Sequence, residues 1–126
     1  MSLIKQPLLK SVFMISALAL PFTASARDIS VEVTNLTNGI YFTPLLVSAH
    51  NYQVNFYDTG KAASEALQAM AEGGDFSGLS SEAKANGADV SENPAEGLLA
   101  PGHSTTASMK NLKRGNKYLS LTAMLL

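Results

Sequence analysis

The chain has 126 residues, no cysteine and a formal charge of −1. That length allows one domain at most, and a hydrophobic fraction of 46% excludes a disordered chain. With no cysteine, no disulfide braces the fold and no residue can carry a lipid at a processing site.

The first segment reads MSLIKQPLLKSVFMISALALPFTASARD. Lys5 and Lys10 make a positive start, Ser11 to Leu20 is apolar and uncharged, Pro21 follows, and Ala24-Ser25-Ala26 places small residues at a cleavage position. This is the layout of a secretory signal peptide. The apolar run is shorter than the roughly 20 residues that a membrane-spanning helix needs. We therefore expect residues 1–26 to be a signal peptide cleaved after Ala26, and residues 27–126 to be an exported domain, periplasmic or secreted, with no transmembrane segment. Beyond Ala26, Arg27, Lys61, Lys84, Lys110, Lys113, Arg114 and Lys117 stand against all ten acids, a net charge of −3. That balance argues against a nucleic-acid partner.

Asp28 to Asn35 alternates, with Ile29, Val31 and Val33 on one face, and predicts a half-buried strand. Asn38-Gly39 is turn chemistry tolerant of positive φ, so a hairpin or tight bend is expected before the next extended segment, Ile40 to Ala49. Pro44 lacks a ladder donor and belongs at an edge or bulge. A helix is expected from about Ser64, a good N-cap followed by Glu65, to Glu72, with Gly73-Gly74 ending it. A short second helical turn is expected around Ser80 to Lys84. Gly87 to Ala100 reads as loop with a short strand near Val90, and Ser104 to Met109 alternates as a strand. A basic connection turns at Gly115-Asn116, and Tyr118 to Leu126 reads as a covered central strand because it is apolar on both faces. The order strand, strand, helix, loop, strand, strand favours an antiparallel β-sandwich with one short crossover helix. Such folds use about seven strands. The sandwich is therefore expected to be incomplete, and the apolar run ending at Leu125-Leu126 leads us to expect a chain cut short.

Chemistry-bearing residues are sparse. Asn35-Leu36-Thr37 matches a glycosylation pattern, though turn-forming Asn and Thr explain the same letters. His50 and His103 are the only histidines. His50 with Asp58 or Asp75 would be the basis of a metal-dependent hydrolase, although no ligand spacing supports it. Ser104 beside His103 cannot serve as nucleophile and base, because neighbours on a strand point to opposite faces. The loop acids Asp58, Asp75, Asp89, Glu92 and Glu96 form no calcium-loop series. Lys110, Lys113, Arg114 and Lys117 read as a solvated hairpin loop rather than an anion site. Catalytic and cofactor-binding residues are expected to be none, and no metal ligand is assigned.

Several motifs occur in one order: T-N-L-T-x-G-x-x-F-T-P from Thr34 to Pro44, then His50, Gly60, A-S-x-x-L from Ala63 to Leu67, A-E-x-G-D from Ala71 to Asp75, and L-x-P-G from Leu99 to Gly102. Together they resemble the spondin N-terminal domain of small exported bacterial proteins, over Asp28 to Leu126. The resemblance implies a C2-like antiparallel sandwich that serves as an adhesion or binding module. It also implies calcium binding as a property of the full family domain, with ligands largely on loops beyond Leu126. The expected function is thus a secreted, non-enzymatic binding module for an extracellular or cell-surface ligand. The alternatives are the His50 hydrolase and a non-functional gene fragment.

Overall fold

Residues 27–126 are described by the computed structural model, and the expected signal peptide over residues 1–26 lies outside them. In chain order they form β1 (Arg27–Thr34), β2 (Leu46–His50), α1 (Glu65–Gly73), α2 (Ser77–Ala85), β3 (Asp89–Glu92), β4 (Ser104–Leu112) and β5 (Tyr118–Thr122). β1 and β4 pair antiparallel, with Val31 opposite Ala107 and Val33 opposite Thr105. A second antiparallel sheet has the order β3-β2-β5. The mainly β sandwich expected from the sequence is therefore present, as five strands in two sheets.

The two sheets stack through alternate residues of β2. Val47 and Ala49 pack against Ala107 and Met109, with Ile29 and Val31 alongside. Leu46, on the opposite face, packs against Met70 of α1 and Leu79 of α2. The three layers are thus the β1-β4 sheet, the β3-β2-β5 sheet and a pair of helices. β2 is buried on both faces at all five residues because it lies in the middle layer and the middle of its sheet.

The helices follow their local chemistry. Ser64 Oγ accepts a hydrogen bond from Leu67 N at 3.1 Å, and Gly74 ends α1 in the left-handed conformation with its N–H on Met70 O. Asp75 Oδ1 accepts from Ser77 N at 2.9 Å and starts α2. Where one crossover helix was expected, two are present. α2 begins three residues earlier than the short turn read from the sequence, because Asp75 satisfies a first-turn donor that Phe76 as N-cap cannot. A Cβ on Gly78 would lie 2.9 Å from Ala66 Cβ, so this glycine lets α2 approach α1.

Four further expectations are corrected in whole or in part. β1 and β2 belong to different sheets, so of the hairpin or tight bend expected at Asn38-Gly39 the bend is present and the hairpin is not; Gly39 takes a positive φ of 126° within a loop that carries the chain between sheets. The second strand begins at Leu46 rather than Ile40, since Pro44 interrupts the ladder between Phe42 and β2. β5 lies at the sheet edge, with Leu119 and Leu121 each 46% exposed, and β2 takes the covered central place. The basic connection likewise joins strands of different sheets and is not a hairpin loop.

Candidate functional site

The two ends of β2 lead into very different surroundings. Before its first residue the chain passes through a closed polar junction built on Asn35, which is completely buried. Asn35 Nδ2 donates to Ile40 O at 2.8 Å and Leu99 O at 2.9 Å, and its Oδ1 accepts from Thr37 N at 3.0 Å. The Thr37 hydroxyl lies 2.7 Å from Oδ1 and 2.6 Å from Ile40 O. The Asn35 backbone closes onto the last motif through Gly102 N at 2.7 Å and His103 O at 2.9 Å. Phe42 bridges Leu99 on one side and Leu125 on the other. Thr43 Oγ1 accepts from Met124 N at 2.8 Å, and the Thr43 side chain lies where a Cβ on Gly74 would fall, 2.7 Å from Thr43 Cγ2. Asn35, Phe42, Thr43, Gly74, Leu99 and Gly102 come from three of the motifs and are linked in this one place. An amide with this many intramolecular bonds and no exposure is not a glycosylation acceptor in the folded protein.

At the other end of β2, His50 is 7% exposed. Its Nδ1 lies 2.8 Å from Asn51 O and its Nε2 lies 2.7 Å from Ser120 Oγ. A carbonyl only accepts, so in the neutral ring Nδ1 carries the proton and Nε2 accepts from the Ser120 hydroxyl. The imidazole is flanked by Phe56 and by Tyr118, the latter with centroids 6.1 Å apart and rings 26° from parallel. Tyr118 is the register partner of His50 across the sheet. Around this buried histidine stand three exposed tyrosines: Tyr52 at 80%, Tyr57 at 71% and Tyr118 at 57%. Tyr52 and Tyr118 both line two concavities, one of about 330 Å³ with His50, Val54 and Asn55, the other of about 410 Å³ with Gln53 and Lys117. Tyr57 lines a third, of about 270 Å³, on the Ser120 and Phe56 side of the ring.

The carboxylates proposed as partners of His50 are engaged elsewhere. Asp58 pairs with Lys61 at 2.8 Å and accepts from Asn55. This bond and the Asp58 charge raise the Lys61 pKa above its ordinary value. Asp75 caps α2, and its pKa is lowered by hydrogen bonds from the Ser77 side chain and backbone. The hydrolase constellation is therefore not assembled, because both ring nitrogens of His50 already have partners. Among the other loop acids, Asp89 accepts from Asn116 Nδ2 at 2.8 Å and Lys113 N at 3.0 Å. Glu92 ties β3 to α2 through Lys84 at 2.6 Å and through Ser80, and these bonds hold its carboxyl below the usual range. No three His, Asp or Glu side chains converge among the described residues, so no carboxylate cluster of the kind that holds calcium is assembled among them. His103 and Ser104 lie together at a polar concavity of about 240 Å³ beside Glu96, away from His50.

A fifth depression, about 320 Å³ and apolar, runs between α1 and the end of β5, lined by Phe42, Leu67, Met70, Leu121, Thr122 and Leu125. The Thr122 hydroxyl is buried there with no partner among the described residues. Reading the sequence did not single out Tyr52, Gln53, Tyr118 or Ser120. An aromatic at a strand start or in a turn gives no sign of its exposure until the strands are paired. No described helix is long and apolar enough to cross a membrane.

No curated protein and no solved structure matches the chain. The family model described as Spondin_N matches residues 34–126, a span that runs from the Thr34 motif through the junction and the tyrosine-bearing end to the last residue. The chain belongs to the spondin N-terminal domain family.

Proposed function

We propose that the protein is an exported, non-enzymatic binding module that presents the tyrosine-bearing end of the β3-β2-β5 sheet to an extracellular or cell-surface ligand. The observation that carries this reading is the cluster of Tyr52, Tyr57 and Tyr118 around His50, exposed and bordering three adjoining concavities. Large aromatic side chains standing free of the core at one concave place mark interaction sites. Family membership supports a spondin-type module, and the positive start, apolar run and small residues of the first 26 positions support export.

The test has two parts. The full chain is expressed in a bacterium, and the product recovered from the periplasm and medium is sequenced from its N-terminus; Arg27 should be the first residue. The labelled product is then applied to intact cells and isolated envelopes beside the Tyr52→Ala/Tyr118→Ala double variant. Saturable retention lost in the variant is expected. Retention only of uncleaved protein in the cytoplasm, or equal adhesion of both forms, would sink the reading.

A further inference from the structure

We propose that the His50 end of the sheet is a saccharide-binding surface, on which Tyr52 and Tyr118 stack on the C–H face of a sugar ring and Gln53, Asn55 and Lys117 bond its hydroxyls. The proposal rests on the binding-module reading above and names the ligand class for the same face.

A sugar ring presents one apolar C–H face and a rim of hydroxyls that both donate and accept. Its complement is a flat, wet aromatic surface bordered by groups with both capacities. Tyr52 and Tyr118 share both larger concavities and are mostly solvent-exposed, so each ring offers a free face. Amides carry donors and acceptors on one short side chain. The Gln53 side chain is exposed and makes no hydrogen bond to another described residue, and Asn55 uses one amide proton on Asp58 and keeps its carbonyl free. No carboxylate lines either concavity, and Lys117 is their one cation among the described residues. Neutral sugars are thus admitted, and anionic ones are not repelled.

The platform is held in place before any ligand arrives. Tyr118 leans on the His50 ring, which is fixed from both nitrogens by Asn51 O and Ser120 Oγ. Tyr52 sits in a turn closed by the Asn51 side chain, whose Oδ1 accepts from Gln53 N at 2.8 Å and whose Nδ2 reaches Asn86 O at 3.4 Å. Fixing aromatic anchors in advance reduces the ordering cost of binding. An apolar peptide is the poorer fit, because it would need a dry pocket and these walls alternate aromatic faces with solvated amides. This gives His50, Asn51 and Ser120 the role of positioning residues and leaves the contact itself to the tyrosines.

The experiment titrates the ¹⁵N-labelled protein with cellohexaose, mannohexaose and tetra-N-acetylchitotetraose, following backbone amide shifts. At least one sugar should move Tyr52, Gln53 and Tyr118 saturably. Tyr52→Ala and Tyr118→Ala should each weaken that binding roughly tenfold or more, the scale of a lost aromatic anchor. Tyr118→Phe keeps the ring and should bind as the parent does, and Tyr41→Ala, at the far end of β2, should change nothing. Variants are compared only where their amide spectra otherwise superpose on the parent. Absence of a saturable shift with all three sugars overturns the proposal, as does binding that survives both alanine variants. Envelope adhesion is measured in parallel. Adhesion lost in the tyrosine variants without sugar binding overturns the saccharide and leaves the binding module standing; no adhesion and no sugar binding removes both.

Discussion

The junction at the start of β2 and the tyrosine face at its end use similar residue types in opposite ways. Around Asn35 the amide is completely buried and every donor is turned onto the protein's own backbone. Around His50 the polar group that is buried, the imidazole, only holds the floor, while Tyr52, Gln53 and Tyr118 face outward. The lesson concerns where family motifs reside. Six residues of the family signature, Asn35, Phe42, Thr43, Gly74, Leu99 and Gly102, are linked at the junction, and of the rest His50 forms the floor of the open face. Their spacing along the chain records a structural clamp rather than a ligand site. The face open to a ligand is drawn mostly from positions the motifs do not specify.

If that division is correct, the largest losses of stability come from the junction. Asn35→Ala removes the amide bonds to Ile40 O, Leu99 O and Thr37 N, leaving Ile40 O to the Thr37 hydroxyl and Leu99 O to the Phe42 N–H. It should cost about 3 kcal/mol, since three hydrogen bonds are lost at a net roughly 1 kcal/mol each. Urea unfolding monitored by circular dichroism reads this directly, and a cost below about 1 kcal/mol would break the comparison. Gly74→Ala comes next. The residue has φ of 66° and its new Cβ would meet Thr43 at 2.7 Å, so a loss of about 2 kcal/mol is expected from backbone strain plus overlap. The same unfolding curves measure it, and the midpoint should shift without a change in slope.

A smaller effect depends on pH. The Glu92 carboxyl is held below its ordinary value of 4.5, first by Lys84 and then by Ser80. A carboxyl with a lowered folded-state pKa stabilises the fold above its unfolded pKa and loses that contribution as pH falls toward the folded value. Stability should therefore drop as the solution is acidified below about pH 4.5, and Glu92→Gln should flatten that part of the curve. Lys84 and Glu92 are each at least 40% exposed, so high salt should weaken the effect further. A pH profile identical in the variant would show that this tie between α2 and β3 contributes nothing. The smallest effect belongs to the open face: Tyr52→Ala should shift unfolding by less than about 0.5 kcal/mol, as expected for a surface side chain. A loss comparable to that of Asn35→Ala would mean that the tyrosine face is part of the scaffold.

The local elements were legible because their causes are local. Ser64 capping α1, Gly74 ending it, and the alternation of β1 and β4 involve residues within a few positions of each other. β3 near Val90 and the family signature were readable for the same reason. Sheet membership was not. Asn38-Gly39 is compatible with a hairpin by its own conformational freedom. The chain instead crosses between sheets, because Asn35 bonds Leu99, 64 residues away, and Phe42 pairs with Leu99 and Leu125.

The same boundary separates what each level determined about this protein. Alone, the sequence determined most strand and helix positions to within a few residues, the start of β2 being six residues off, as well as the mainly β class and the family, since periodicity, caps and ordered motifs are written along the chain. Only the tertiary structure decided that β2 and not β5 is the covered central strand. It alone decided that His50 meets Ser120 rather than a carboxylate, and that three of the four tyrosines surround that histidine in solvent. Burial and partnership depend on which strands pair across 70 residues of chain, and no local pattern carries that information.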